Sequence, residues 1–156
     1  MERVFRTLHS DEVQAAAAVA KQCFPGNEIV LDYIMDEFTD MFSNARWKPK
    51  HFVAEVDKKI VGFAGWNYSW AAYDTAEISL VGILPEYRNQ GLGSELLKHL
   101  FMDIRIKMKC AEHVLVSTNR ITMFTRLGFR TVCRIRSRLN GESELMVGSI
   151  SLGCGL

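Results

Sequence analysis

The chain has 156 residues, 48% of them hydrophobic and 24% charged, with a formal net charge of +1. That length buries one sizeable core, and the composition is globular, neither disordered nor fibrous. A near-neutral balance makes no electrostatic case for nucleic acid, and no apolar run reaches the roughly 18 residues of a membrane helix. The opening MERVFRTLHSDE carries acidic residues where a secretory signal needs an apolar centre, so the expectation is a cytoplasmic protein. Cys23, Cys110, Cys133 and Cys154 make no CxxC pair, which argues for reduced thiols and against a metal site or disulfide framework.

Val4 to Leu8 alternates and predicts a first strand. Ser10 is a candidate cap for a helix in which Val13, Ala16, Ala17 and Ala20 recur, closed by Phe24-Pro25-Gly26. Asn27 is placed to cap a second helix with the apolar stripe Val30, Ile34, Phe38, Met41 and Phe42. Asp32, Asp36, Glu37 and Asp40 fall on its other face, read as solvated, with a site for a cationic substrate as the sharper alternative.

Strands are predicted over 51–56 and 60–69, joined by the Asp57-Lys58-Lys59 turn. Trp66, Tyr68 and Trp70 share one strand face at period two, as core, interface or substrate pocket; Trp66 and Tyr68 are the candidate substrate contacts. A fourth strand spans 75–84. Leu92, Leu96, Leu97, Leu100, Phe101, Ile104 and Met108 then form a long helical stripe. A short strand over 114–117, a brief helix from Thr118-Asn119 closed by Gly128, and a last hairpin turning at Asn140-Gly141 complete the chain. In that hairpin Arg134, Arg136 and Arg138 share one face, read as solvated, with an acidic partner as the alternative. The order β-α-α-β-β-β-α-β-α-β-β implies one α/β domain over 1–156, a mixed sheet with helices on both faces.

The chemistry concentrates where the fourth strand meets the long helix. Arg88-Asn89-Gln90-Gly91-Leu92-Gly93 lets the backbone turn tightly, and the helix that starts there aims free N–H groups and its positive dipole end into the loop. That arrangement binds phosphate. A dinucleotide fingerprint is excluded because Leu96 stands where the third glycine belongs, and a P-loop because no Gly-Lys-Ser/Thr follows.

Arg88-x-x-Gly91-x-Gly93 after Pro85-Glu86-Tyr87, the element order, and Leu127-Gly128-Phe129 together resemble the GNAT superfamily of N-acyltransferases. The resemblance covers nearly the whole chain in layout and implies a GNAT-like fold of about seven strands and about four helices. It implies acetyl-CoA as cosubstrate, its pyrophosphate held by Arg88, Asn89, Gln90, Gly91, Leu92, Gly93 and Ser94, and its pantetheine arm by the main chain of Val81, Gly82 and Ile83. Asn119 either caps its helix or bonds the same arm. The implied reaction is transfer of acetyl to a primary amine by direct attack.

A lysine-like amine is neutral only about once in 10³ at pH 7, so a base is needed. Glu77 is the candidate, expected by period two on the face of Ser79, Val81 and Ile83, and Ala76-Glu77-Ile78 resembles the base-bearing segment of the histone-acetyltransferase branch. The family's leaving-group tyrosine is replaced by Phe124, so the thiolate leaves unaided or Ser117 or Tyr87 serves as the acid. Competing readings are a catalytically silent acyl-CoA-binding module and an interaction protein, including a homodimer. His9, His51, His99 and His113 show no ligand spacing and receive no role.

Overall fold

Hairpins dominate both ends of the chain, and one parallel pair in the middle joins them. In the computed structural model, which describes residues 1–26, 28–137 and 141–150, the strands are β1 (Arg3–Thr7), β2 (Lys50–Val56), β3 (Lys59–Tyr68), β4 (Thr75–Ile83), β5 (His113–Thr118), β6 (Arg130–Ser137) and β7 (Gly141–Ser149). The helices are α1 (Val13–Cys23), α2 (Glu28–Asp40), α3 (Leu92–Lys107) and α4 (Ile121–Arg126). The seven strands form one sheet in the order β1-β2-β3-β4-β5-β7-β6. Among the described residues only β4 and β5 pair in parallel, joined by the α3 crossover, whereas β1 and β2, joined through α1 and α2, pair antiparallel.

Alternation along β4 separates the two helical layers. A Cβ on Gly82 would meet Phe63 and the thiol of Cys23 in α1, whereas the next residue, Ile83, reaches toward Gly93 at the start of α3. Helices α1 and α2 therefore lie on one face and α3 on the other. Ile34 and Phe38 of α2 and Leu96, Leu97, Leu100 and Ile104 of α3 are all buried, so both stripes read from the sequence face the core.

Several local expectations change. Ser10 does not cap α1; it opens a 3₁₀ turn over Ser10–Glu12, where the Glu12 carboxylate accepts the His9 N–H at 3.1 Å and also holds Arg6. The brief helix starts at Ile121, so Asn119 precedes it and Arg120 is the cap residue. The cap read at Asn27, and Arg138 and Asn140 in the last hairpin, lie outside the described residues. The arginine face of β6 meets its own hairpin partner: Arg134 and Arg136 stand opposite Glu144 and Glu142, with N–O distances of 3.8 and 3.3 Å. That pairing matches the solvated reading.

One aromatic expectation, Trp66 as a substrate contact, is corrected. Trp66 is fully buried, and its indole N–H donates to Asp103 of α3 at 2.9 Å. Tyr68 lies on the same face, its ring 5.1 Å from that of Trp66 and 4.7 Å from that of Trp47. Both lie on the face that α3 covers, because alternate strand positions follow the pleat, and full burial makes Trp66 a core residue.

Candidate active site

Strand β4 pairs with β5 only from Thr75 to Ile78, against His113 to Val116. Beyond that point β5 continues with β7, through Ser117↔Leu145 and Thr118↔Glu144, while β4 continues with β3. The sheet thus splits, and no strand pairs with Ser79–Ile83 on the β5 side. The split opens a cleft of about 880 Å³ between β4, the end of β5, α4 and the loop before α3.

A bulge marks the point of the split. Gly65 and Trp66 are adjacent on β3, yet they oppose Leu80 and Ile78, so Ser79 is the extra residue. Its hydroxyl is buried beside the cleft with no hydrogen-bond partner in the chain. The bulge also inverts the alternation. Glu77 pairs with Asn67 and falls on the face of Leu80 and Gly82, while Val81 and Ile83 fall on the α3 face with Ile78. The expectation that Glu77 shares a face with Val81 and Ile83 is therefore wrong: strict period two fails across an inserted residue. Glu77 points toward α2, at the far side of the split.

At the other end of the cleft, Pro85–Tyr87 forms a 3₁₀ turn and Asn89 and Gly91 take left-handed φ values of 59° and 84°. Gly91 is the cap residue of α3, and a Cβ there would meet nothing within 4 Å, so the backbone angle is what calls for glycine. Arg88, Asn89, Gly91, Leu92, Gly93 and Ser94 all border the cleft. Leu92 contributes only main chain, because its side chain is 1% exposed in the core. Gln90 stands apart: its side chain donates to the Glu86 carbonyl and its own carbonyl accepts from Arg3. The Arg88 Nε–H donates to the Ile83 carbonyl at 3.0 Å, tying the loop to the end of β4. Cys23 also reaches the cleft, and burial pushes its thiol up to about 11 despite the neighbouring Arg88, which disfavours the thiolate.

An open strand edge, an unpaired buried hydroxyl at the bulge and a helix start at the far end fit a ligand with amides along its length and phosphate at one end. The sequence profile of the Acetyltransferase (GNAT) family matches residues 13–129. The chain belongs to that family. Its cosubstrate is acetyl-CoA, and its chemistry is acetyl-CoA-dependent acyl transfer. The sheet and helices are similar to those of a GNAT-family protein from Desulfovibrio desulfuricans, at 16% identity and TM-score 0.80 over 96% of this chain and 99% of that one. They are similar to the ribosomal-protein-S18-alanine N-acetyltransferase of Escherichia coli, at 19% identity and TM-score 0.72 over 96% and 94%. The PaiA N-acetyltransferase of Thermoplasma acidophilum, solved with coenzyme A, matches at 18% identity and TM-score 0.69 over 96% and 99%. Against the curated proteins, no significant sequence match is found.

On the α2 side the structure gathers residues that the sequence did not bring together. Glu37 is only 9% exposed and is not on the solvated face, since it lies three residues after Ile34 and four before Met41, both buried. One of its carboxylate oxygens is 3.4 Å from Nε2 of His51, which is fully buried. His51 fits because it faces a glycine: a Cβ at Gly65 would lie 2.1 Å from its Nδ1. Burial and then the charge of Glu37 raise the Glu77 carboxyl above its ordinary 4.5. Burial, followed by the charges of Glu37 and Glu77, pushes the Tyr33 phenol up to about 12. The acidic run of α2 was visible; the inward turn of Glu37 and the role of His51 were not.

At the β5 end, Phe124 is buried edge-on to Phe129 at 5.3 Å, and Ser117 and Tyr87 border the cleft at opposite ends. Asn119 borders it too, exposed.

Proposed function

We propose that this protein is an N-acetyltransferase, one domain across the chain, that moves acetyl from acetyl-CoA to a primary amine by direct attack with Glu77 as general base. One observation carries this reading: Glu77 is half-buried two residues before the inserted Ser79, with its carboxyl raised above its ordinary value by burial and by Glu37. A base of raised pKa accepts a proton from an ammonium with less mismatch than an ordinary carboxylate, a contribution of roughly 10²–10⁴ in rate. Glu77 takes the proton, directly or through water, on the face that looks toward α2. Acetyl-CoA supplies an activated thioester, and the neutral nitrogen forms the amide as the C–S bond breaks.

The main chain of Val81, Gly82 and Ile83 bonds the pantetheine arm along the open edge. Arg88, Asn89, Gly91, Leu92, Gly93 and Ser94 hold the pyrophosphate, with Gln90 bracing the loop from outside and Asn119 bonding the arm from the β5 side. Phe124 donates no proton, so the thiolate, of modest basicity, leaves unaided or receives a proton from Ser117. The free thiols of Cys23, Cys110 and Cys133 support a reducing, cytoplasmic setting.

The test is thiol release from acetyl-CoA with a panel of amines, alongside thermal stabilisation by CoA alone. Release that falls sharply in Glu77→Gln supports the reading. Phe124 favours a second reading, a silent acyl-CoA-binding module. Stabilisation by CoA with no release from any amine would select it, and no stabilisation at all would remove both.

A further inference from the structure

Helix α2 carries five carboxylates, Glu28, Asp32, Asp36, Glu37 and Asp40, and no lysine or arginine. Four of them face solvent, and Glu37 alone turns in. The groups on this side come from three elements: Glu37 of α2 in contact with His51 of β2, Glu77 of β4, and Tyr33 of α2, which is partly exposed and feels the charges of both carboxylates. His51 pairs with Gly65 and Glu77 with Asn67, two residues along the same strand, so one sheet face presents His51 and Glu77 toward α2. The Glu37 Oε2 and both ring nitrogens of His51 are buried without a hydrogen bond. Phe38 holds the imidazole edge-on at 4.9 Å. Among the described residues no lysine or arginine pairs with Glu37 or Glu77.

Two carboxylates on the α2 side of the sheet, Glu37 buried and Glu77 half-buried, are backed by a single imidazole and repel each other, with no lysine or arginine partner among the described residues. One ammonium answers only one of them. Resting on the N-acetyltransferase reading, we propose that the acceptor is a small amine carrying a second ammonium group, and that Glu37, assisted by Tyr33, binds that second group while Glu77 faces the nitrogen to be acetylated. Glu37 is then the specificity residue of the site. The exposed carboxylates of α2 concentrate cations at its entrance. In the reaction one N–C bond forms and one C–S bond breaks. Of the two protons the reacting ammonium gives up, one leaves with CoA as the thiol and one goes to solvent. The product keeps a single positive charge and is held less tightly, which favours its release.

The probes are the α,ω-diamines from butane-1,4-diamine to hexane-1,6-diamine, each against the monoamine of the same length. Binding to the CoA-loaded protein is read by calorimetry and turnover by thiol release. At least one diamine should exceed its monoamine by about tenfold in affinity and in kcat/KM, the scale of one partly buried charge pair. In Glu37→Gln that ratio should collapse toward one, through a larger rise in diamine KM than fall in kcat, and Glu37→Asp should restore part of it. Equal binding of diamines and monoamines by the wild-type protein, which needs no variant to fold, would overturn the proposal, as would an unchanged ratio in Glu37→Gln. Failure of CoA itself to bind would instead remove the transferase reading on which it rests.

Discussion

The two sides of the split in the sheet are built from different material. The donor side is mostly main chain: an unpaired edge at Ser79–Ile83 and the amides at the start of α3. The acceptor side, as proposed, is mostly side chain: Tyr33, Glu37, His51 and Glu77, drawn from three elements. Backbone recognition constrains only where glycine and helix starts must fall, so it can be shared across a family. Side-chain recognition is free to change with the acceptor. At 16–19% identity over nearly the whole fold, the resemblance to solved acetyltransferases extends to the sheet and leaves the acceptor side to this chain.

The largest test of that division is Glu77→Gln. It should lower kcat by roughly 10²–10⁴ while the affinity for CoA stays within about twofold, because the residue lies beyond the open edge. A parallel loss of CoA binding would show that the two sides are not separable. The converse comes from the donor side. Gly91→Ala imposes a left-handed angle of 84° on a residue with a Cβ, a strain of about 1–2 kcal/mol. CoA affinity should weaken about 5–30-fold, with the acceptor KM at saturating acetyl-CoA unaltered.

The same division explains what could be read from the sequence. The glycine loop, the strand before it and the long stripe of α3 each sit within a contiguous run, and each formed as their spacing required. The strand that carries Glu77 was legible in place but not in direction, since a single inserted residue at Ser79 turns Glu77 to the other face. A bulge leaves no signature in an alternating apolar strand. Glu37 and His51 are fourteen residues apart, on a helix and a strand, and nothing local tells which acidic residue of α2 turns inward. Trp66 was ambiguous because a large aromatic on a strand suits a pocket or a core equally well; its bond to Asp103, 37 residues away, settles it.

Trp66→Phe sharpens that last point. It removes the donor to Asp103 and some core volume, so it should cost about 2 kcal/mol and lower Tm by about 4–8 °C. Because the indole lies in the α3 layer, acceptor KM and kcat should not move in folded protein. A rise in acceptor KM would return Trp66 to the substrate site.

The smallest effect, and the most specific, is in the pH profile. On the proposed mechanism Glu77 acts as a base only when ionised, and its carboxyl is raised above 4.5 by burial and by Glu37. The acid limb of kcat/KM should therefore lie above the ordinary glutamate range and vanish in Glu77→Gln. Removing the neighbouring negative charge in Glu37→Gln makes ionised Glu77 less costly, so the limb should move to lower pH. Stability follows the same sign. A carboxyl that holds its proton more tightly when folded favours the folded state at acid pH, and that contribution fades as pH rises through the folded pKa. Glu37→Gln should weaken this dependence and Glu77→Gln should abolish the part due to Glu77. A limb that moved up, or did not move, in Glu37→Gln would mean that the two carboxylates do not share one recess, and the acceptor side would have to be redrawn around Glu77 alone.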